Sequence, residues 1–590
     1  MTSLTVLRDE NNTSHMEDEV AIDDTSGKLR LTNSDKGSVN IDQLLEEVVK
    51  PCGLWQWTVA LLLLISTSSP TTFPVYANSA SPHRCRMEDK VEDFIKKHNI
   101  PFTDVASRID PWYMKNVTWP TIGSLKKGCY RYNLKWNNTG LKSILLVKNA
   151  SLTSYDDVEP CPYGYLHEVS SRHYPHSVVA EYELLCSRSW LLPLGTSSYL
   201  CGMSIGFMVG GRCGDLIGRR NTMILFTCVE IIGGICTSLS PNYISYVIAR
   251  SIIAFGSSAK ITVAGVLVIE LTTARHRSMF KAVSTIGITF VYRAVLALWA
   301  YLIPDWRWLN VAVMSPVLLA VLYFPFLPES PRWLMSKNRT EQSFAVLKRG
   351  CVINHLGKGP TIGRDKIRQL DWEFHKADSS HKNSVPVCKD TQGRRNRGHS
   401  RLTDFKITAL STLIMFGSSL SYIGILFYAT AVRDYIYLTG FYNSLAAIPG
   451  TVIFFLLYRY FRRRKLPLMV LLLISCCILF GSSIYSIFGK PATDVVHTIC
   501  SNLVLVLFAS SSCMLFLYIP ELFPTSVRSQ RTGVILGLSR IGTMLCAFIN
   551  ELDVYFVHGF PILVYSAAVA MVIILLLFLP DTTGDNLPDK

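Results

Sequence analysis

Charged residues are scarce in this chain: they make up 17% of its 590 residues, while 49% are hydrophobic. A soluble chain of this length normally divides into several domains with a more charged surface. The sequence also lacks a glycine-rich phosphate-binding loop, a metal-ligand spacing among its histidines, and paired polar residues that suit catalysis. These absences argue against an enzyme, and we expect no catalytic residue, no metal and no cofactor.

Residues 1–50 lack an apolar stretch next to a basic start, so they do not predict a cleavable signal. We expect residues 1–53 to form a cytoplasmic tail. The first apolar run is then expected to act as the insertion signal.

The apolar residues collect in runs of about 18–25 residues, the length of helix that spans a bilayer. Twelve spans are predicted, and we number them one to twelve: 54–77, 190–211, 222–240, 243–270, 280–302, 309–327, 406–430, 441–460, 467–488, 495–518, 530–552 and 558–580. The predicted fold is an all-α membrane protein with two six-helix halves, 54–327 and 406–580. A linker at 328–405 joins the halves, and a cytoplasmic tail at 581–590 follows.

A charged turn after span four is repeated after span ten. ELTTARHRS begins at Glu270 and ELFPTSVRS begins at Glu521, so both read E-L-x5-R-S. Each turn leads into an apolar run with one arginine, Arg293 in span five and Arg540 in span eleven. The two halves are therefore predicted to be parallel repeats.

The basic residues indicate how the spans are oriented. In a soluble protein the net charge of +15 would suggest a nucleic-acid partner. Here the basic residues lie in short segments on one side of the membrane: Arg212, Arg219 and Arg220; Arg275, Arg277 and Lys281; Arg462, Arg463, Arg464 and Lys465; Arg528 and Arg531. The positive-inside rule makes that side cytoplasmic. We expect both termini in the cytoplasm, and the lipid bilayer rather than nucleic acid as the partner.

The long loop between spans one and two, residues 80–189, then faces outside. It carries three glycosylation motifs, at Asn116, Asn137 and Asn149, and four cysteines, Cys85, Cys129, Cys161 and Cys186. In an oxidising compartment these cysteines predict two disulfides, for which three connectivities are open.

The turn between spans two and three, residues 210–220, reads GGRCGDLIGRR. Its glycines allow close approach of helices, and Asp215 can accept hydrogen bonds from a helix N-terminus or an arginine. This pattern resembles the loop motif of the major facilitator superfamily, a large group of secondary transporters.

Four further stretches resemble the organic cation/anion transporter family within that superfamily. They are SVVAEYELLC at 177–186, DWRWL at 305–309, PESPRWL at 328–334 and ELFPTSVR at 521–528. The resemblance runs from Leu54 to Thr582. It implies two six-helix bundles around a central cavity that opens alternately to each side.

Five charged residues lie well inside the predicted spans: Glu230, Arg250, Lys260, Arg293 and Arg540. A basic residue at the centre of a span costs about 2.5–3.5 kcal/mol, so it is normally paired or faces a cavity. An intramembrane pair of Glu230 with Arg250 is one interpretation, and a functional role for either residue is the other.

Arg540 is the strongest candidate for contact with a substrate. By resemblance, family members that carry anions or carnitine have an arginine at this place, and members that carry cations have an aspartate. A guanidinium group in a dry cavity offers two N–H groups to a carboxylate. Arg293 holds a comparable place in the first half, and Tyr422 and Trp299 are predicted to offer aromatic faces to a quaternary ammonium.

The predicted function is alternating-access transport of a small organic ion, such as a carnitine-like or amino-acid-like zwitterion, across the plasma membrane. Nine charged residues on the cytoplasmic side, which we call the latch, are expected to hold one state and release in the other: Asp215, Arg219, Arg220, Glu270, Arg277, Glu329, Arg332, Glu521 and Arg528.

Three questions are open. The first is the mode of transport, which is facilitated diffusion, exchange, or coupling to sodium or to protons. A carrier restricted to organic cations, in which Arg540 is structural, is a second reading. A non-transporting solute sensor is a third, suggested by the altered loop after span eight, YRYFRRR at 458–464.

Overall fold

A computed structural model describes residues 44–50, 52–67, 70–79, 81–110, 128–132, 158–168, 174, 176–273, 276–355, 394–431, 436–461, 463–489, 495–523, 528–556 and 559–580. Within these ranges, eleven helices are long and apolar enough to cross a membrane. A shorter apolar helix, Leu54–Ser66, lies where span one was predicted. The helical architecture predicted from the sequence is therefore confirmed.

Three spans of the first half are irregular at mid-depth. Span one consists of a helix at Leu54–Ser66, a 3-10 turn at Pro70–Thr72 and a helix at Phe73–Ala77. Span five is interrupted by a π-helical segment, Gly287–Val291, between helices Arg277–Ile286 and Tyr292–Leu302. Span six combines Trp306–Met314, a 3-10 segment at Ser315–Leu322 and Tyr323–Phe326. Spans two, three and four are continuous, at Leu191–Ile217, Arg219–Ser238 and Tyr243–Glu270.

The second half is more regular. Its spans are Arg394–Ala431, Ile436–Leu445 with Ala447–Tyr460, Lys465–Gly489, Val495–Glu521, Arg528–Tyr555 and Phe560–Leu577. Two segments outside the predicted halves are also structured. A π-helical turn, Leu45–Val49, packs beside helix Thr340–Asn354 of the linker, and the Asn354 side-chain amide donates to the Val49 carbonyl at 2.8 Å. A second linker helix covers Pro331–Ser336.

The long loop between spans one and two forms a small domain, which we call the loop domain. His83–Cys85 pairs antiparallel with Tyr165–His167, and Tyr130–Tyr132 with Val158–Pro160. Its short helices are Asp89–Lys97, Phe102–Ile109, Val178–Glu181 and the 3-10 turn Cys186–Arg188. Disulfides join Cys85 to Cys161 and Cys129 to Cys186, which is one of the three open connectivities. The predicted glycosylation sites Asn116, Asn137 and Asn149 lie outside the described residues.

A buried ion pair holds the loop domain together internally. The Arg84 guanidinium group binds both oxygens of Glu92, at 2.7 and 2.8 Å, and the Met87 N–H donates to the same carboxylate at 2.9 Å. Burial raises the pKa of Glu92, but these hydrogen bonds outweigh it, so the pKa lies below its usual value. The carboxylate therefore stays ionised as a partner for Arg84.

The loop domain is docked on the first half. The Tyr174 hydroxyl donates to the Ile303 carbonyl at 2.9 Å, and the Trp306 indole N–H donates to Glu181 at 2.6 Å. Arg307 completes the contact with an ion pair to Glu181 at 2.5 Å. All three partners, Ile303, Trp306 and Arg307, lie at the junction of spans five and six. We call this end of the bundle the loop end, and the opposite end, where the latch residues lie, the charged end.

Spans two and four approach each other so closely that only glycine fits between them. A Cβ atom at Gly202 would lie 2.3 Å from the Ser251 carbonyl oxygen, and one at Gly206 would lie 2.3 Å from the Phe255 carbonyl oxygen. The spacing of four residues places both glycines on one face of span two. Small residues of this kind let membrane helices pack backbone to backbone.

The two halves meet along spans two and eleven, which run antiparallel. The Ser204 hydroxyl donates to the Gly537 carbonyl at 2.7 Å, and the Ser197 hydroxyl donates to the Met544 carbonyl at 3.2 Å. The two contacts are seven residues apart on each helix, about 10 Å along the axis. The interface therefore has a defined register across the centre of the membrane.

We expect Gly202→Ala to destabilise the protein by about 1–3 kcal/mol, since the added methyl group meets a backbone carbonyl that cannot move alone. Thermal unfolding of the purified protein measures this loss. Gly265→Ala is the matched control, because a Cβ atom at Gly265 in span four has nothing within 4 Å. Equal unfolding temperatures for the two variants would contradict the close packing of spans two and four.

Candidate functional site

A small cavity lies between the two halves. Thr72, Val75, Tyr76 and Arg293 of the first half and Leu426, Gly440 and Asn443 of the second half line it. Its volume is about 20 Å³, which leaves room for about one water molecule. Arg293 alone among these lining residues is charged, and it follows the π-helical segment of span five, a distortion that often marks functional positions.

Both ends of this cavity are closed. At the loop end, the Tyr76 and Tyr437 rings stack with centroids 6.1 Å apart, and Tyr301 meets Tyr437 edge-on at 5.7 Å. At the charged end, the Cys513 thiol lies 3.6 Å from the Thr285 hydroxyl of the other half. Contacts between the two halves therefore lie on both sides of the cavity, toward the loop end and toward the charged end.

Arg540 lies at the same junction but does not line the cavity. Its guanidinium carbon lies over the Phe207 ring of span two, 5.1 Å from the centroid. Tyr199, just over two helical turns from Phe207 toward the loop end, is also close enough to interact with the Arg540 charge. Arg540 thus points at aromatic rings of the opposite half.

Arg250 adds a third cation to this region. Its guanidinium carbon lies 4.6 Å from the ring centroids of both Phe73 and Tyr199. The Tyr199 ring is therefore shared by the charges of Arg250 and Arg540. Among the described residues, no salt bridge joins Arg293 or Arg540 to a carboxylate.

The ion pair predicted for Glu230 has a different partner from the one expected. Glu230 is fully buried and pairs with Lys260, not with Arg250. Lys260 lies ten residues, about 15 Å of helix, beyond Arg250 along span four, at the depth where span one is broken. The predicted Glu230–Arg250 pair is thus corrected, because Glu230 packs against Gly256, which is about one helical turn from Lys260 and further from Arg250.

Lys260 also binds the broken end of span one. Its ammonium group donates to the Ser66 carbonyl at 2.9 Å, at the C-terminus of helix Leu54–Ser66. The Ser66 hydroxyl in turn lies 2.5 Å from the Tyr323 hydroxyl of span six. Helix C-termini carry partial negative charge and unsatisfied carbonyls, so a cation stabilises them. The network joins spans one, three, four and six of the first half.

The other two predicted substrate residues lie away from the cavity. Trp299 packs against the apolar cluster at the loop end. Tyr422 meets the Phe508 ring edge-on at 6.2 Å, within the core of the second half. The structure instead places Tyr76 in the cavity wall and Tyr437 against it at the loop end, two residues that no charge or motif singled out in the sequence.

Six latch residues come together in the first half. Arg219 donates to both oxygens of Glu270 at 2.9 and 3.1 Å, and it lies 3.1 Å from Asp215. Arg332 donates to the Glu270 carbonyl at 3.2 Å. This cluster ties the turn after span two to the ends of spans four and six.

Glu329 completes the cluster by binding the start of span three. Its carboxylate accepts the backbone N–H groups of Arg219 at 2.7 Å and Arg220 at 3.2 Å. Burial raises the pKa of Glu329, and these N–H groups oppose the rise. An ionised carboxylate at a helix N-terminus is stabilised by the helix dipole.

The second half has a simpler arrangement. Glu521 accepts a hydrogen bond from the Tyr458 hydroxyl at 2.8 Å, and Arg464 lies over the Tyr458 ring at 3.5 Å. Arg277 of the first half interacts electrostatically with Tyr458 across the interface. The side chain of Arg528 lies outside the described residues. Tyr458 was not predicted, although it stands in the altered YRYFRRR loop.

Comparisons with known proteins agree with this architecture. Residues 137–589 match the model of the family described as "Sugar (and other) transporter". The chain is 25% identical over 563 residues to the human organic cation/carnitine transporter 2, covering 92% of each chain. It is 27% identical over 482 residues to rat solute carrier family 22 member 2, covering 80% of this chain and 82% of that protein.

Among solved structures, the chain resembles the major facilitator superfamily proton:xylose symporter XylE bound to 6-bromo-6-deoxy-D-glucose. The TM-score is 0.53 at 20% identity, over 68% of this chain and 88% of that chain. This likeness shows the major facilitator fold. With a family model that matches most of its length, the chain belongs to the sugar (and other) transporter family.

Proposed function

We propose that the protein carries small organic ions bearing a carboxylate, zwitterions included, across the plasma membrane by alternating access. The supporting observation is the contrast among its buried cations. Lys260 has its own carboxylate in Glu230, whereas Arg293 and Arg540 have no salt bridge to a described carboxylate and lie at the junction of the halves. Buried guanidinium groups without a carboxylate partner in the protein favour binding of an anionic ligand.

The acid that the second half does bury supports the same interpretation. Asp553 accepts hydrogen bonds from the Tyr428 hydroxyl and from the Gly559 N–H, both at 2.9 Å. It therefore serves the turn between spans eleven and twelve at the loop end. A carboxylate that neutralises Arg540 would come from a ligand.

A zwitterion fits both features of the centre. Its carboxylate would bind a guanidinium group, and its ammonium would face the Tyr76 and Tyr437 rings that close the loop end. The name of the human relative, organic cation/carnitine transporter 2, includes both organic cations and carnitine, and carnitine is such a zwitterion. The about 20 Å³ cavity is too small for a solute, so loading requires the halves to separate.

The proposed motion uses the contacts that close each end. Opening outward would separate Tyr76 from Tyr437, and opening inward would separate Thr285 from Cys513. In the topology proposed from the positive-inside rule, the charged end and both termini are cytoplasmic. The latch would hold the first half rigid at that end during the motion.

We expect Arg540→Gln to lower uptake of carboxylate-bearing solutes about tenfold or more, because hydrogen bonds to a charged group contribute about 1.5–3 kcal/mol. Uptake of labelled carnitine, para-aminohippurate and tetraethylammonium into expressing cells measures this. Uptake at two pH values, with and without sodium, tests coupling to either ion.

Arg463→Gln is the matched control, since Arg463 is an exposed arginine near the charged end. Surface labelling corrects each rate for expression. The proposal would be contradicted if the wild-type protein took up tetraethylammonium but neither carnitine nor para-aminohippurate. It would also be contradicted if Arg540→Gln took up carnitine or para-aminohippurate at the wild-type rate.

The Lys260 pair is proposed to be structural rather than part of the substrate site. We expect Lys260→Met to lower the free energy of unfolding by about 3–5 kcal/mol, because it leaves Glu230 buried without its partner. The double variant Glu230→Gln/Lys260→Met should recover part of the loss, since neither charge remains. Thermal unfolding in detergent distinguishes them; a double variant less stable than Lys260→Met would refute the pairing.

A further inference from the structure

A second and larger cavity lies at the charged end of the first half. Its volume is about 330 Å³, and it is lined by the starts of spans one and three, the end of span six and the linker helices. It shares no lining residue with the small cavity between the halves, and the latch contacts do not fill it. It opens beside the residues where span six leaves the bundle.

Three arginines converge on this cavity from different segments: Arg220 from span three, and Arg339 and Arg349 from the linker. Arg220 donates to the Phe324 carbonyl and Arg349 donates to the Pro325 carbonyl, each at 2.7 Å. Because these carbonyls are adjacent, both guanidinium groups are fixed at one point on the cavity wall. Each keeps further N–H groups for a ligand.

The Arg220 Nε atom is buried and has no hydrogen-bond partner. Because Nε is buried, a ligand in the cavity would meet the terminal N–H groups of Arg220 instead. Arg339 lies over the Trp333 ring, with its guanidinium carbon 5.9 Å from the ring centroid, and both residues line the cavity.

Glu329 is the acid that lines the same cavity, and its oxygens are already used. They accept the backbone N–H groups of Arg219, Arg220 and Ser330 at 2.7, 3.2 and 3.0 Å. Three guanidinium groups against one carboxylate leave the pocket with an excess of positive charge. A compact anion with several acceptor oxygens, such as a phosphate group, matches this arrangement.

The rim of the pocket is apolar on the side that faces away from the bundle. Phe324 and Phe326, at the end of span six, are 63% and 59% exposed, and Ile217 at the end of span two is 43% exposed. In a membrane protein such side chains meet acyl chains. The pocket therefore has a cationic interior next to a lipid-facing edge.

We propose that this pocket binds the phosphate-bearing headgroup of an anionic lipid from the cytoplasmic leaflet. The headgroup phosphates contact Arg220, Arg339 and Arg349, and the acyl chains lie over Phe324 and Phe326. Basic pockets between helices on the cytoplasmic side bind such headgroups in other membrane proteins. The proposal needs the topology given above, but it is independent of the substrate.

A bound headgroup would link two parts of the fold. Arg220 belongs to the six-helix bundle, whereas Arg349 belongs to linker helix Thr340–Asn354. One phosphate group held by both would fix that helix against the end of span six. The lipid would thereby stabilise the charged end of the first half.

The test uses the full-length protein in detergent with a short-chain phosphatidylinositol bisphosphate as the probe. Binding is followed as the rise in thermal unfolding temperature with lipid concentration. We expect saturable binding to the wild type and no comparable effect of short-chain phosphatidylcholine. Arg339→Gln/Arg349→Gln should weaken binding about tenfold or more, from about 1 kcal/mol for each basic residue.

Two variants separate the pocket from general surface charge. Gln342→Trp keeps every arginine but fills the cavity from an exposed lining position, so it should also weaken binding. Arg463→Gln removes an exposed arginine from the other half and should bind like the wild type. Unfolding temperatures without lipid show whether each variant is folded.

Wild-type affinity in both Arg339→Gln/Arg349→Gln and Gln342→Trp would overturn the proposal. Equal binding of phosphatidylcholine would overturn the role of the phosphate-bearing headgroup. Soluble inositol trisphosphate separates the possible sources of the anion: if it binds as tightly as the lipid, the ligand is a soluble phosphate and the lipid assignment is wrong. A lipid affinity well above that of the trisphosphate supports the assignment.

Discussion

A positive charge inside a membrane span must be neutralised or kept in a solvated cavity, and the first half of this protein is built around one such charge. Lys260 pairs with Glu230 and binds the Ser66 carbonyl where span one is broken. One ammonium group thus satisfies a buried carboxylate and a helix end that would otherwise lack partners. Because this cation is accounted for, the arginines at the junction of the halves stand out as different.

Much of this architecture could be predicted from the sequence. The apolar runs predicted the membrane spans, and the repeated E-L-x5-R-S turn predicted the two halves. Both predictions are possible because the length and spacing of such segments can be seen in the local sequence alone. The charged cluster around Arg219, Glu270 and Glu329 was also expected. Its members lie in short turns at one end of the bundle, so few alternative arrangements are available to them.

Contacts between distant spans could not be predicted in the same way. Arg250 and Lys260 both lie in span four, and nothing local shows which of them Glu230 meets. The answer depends on how spans three and four pack, with Glu230 against Gly256, and neither span shows this packing by itself. Tyr76 and Tyr437 were missed for a related reason: aromatic residues are common in spans, and only the packing of the two halves brings these two rings together.

The attachment of the loop domain has a consequence for how the molecule would move. Its described side-chain hydrogen bonds to the bundle all join residues of the first half: Tyr174 and Tyr182 donate to Ile303 and Ser240, and Glu181 accepts from Trp306. If the halves rock against each other, the loop domain moves with the first half as one body. The loop end then opens when the second half moves away from the first half and its attached domain. An antibody fragment against the loop domain would then report the tilt of a single half.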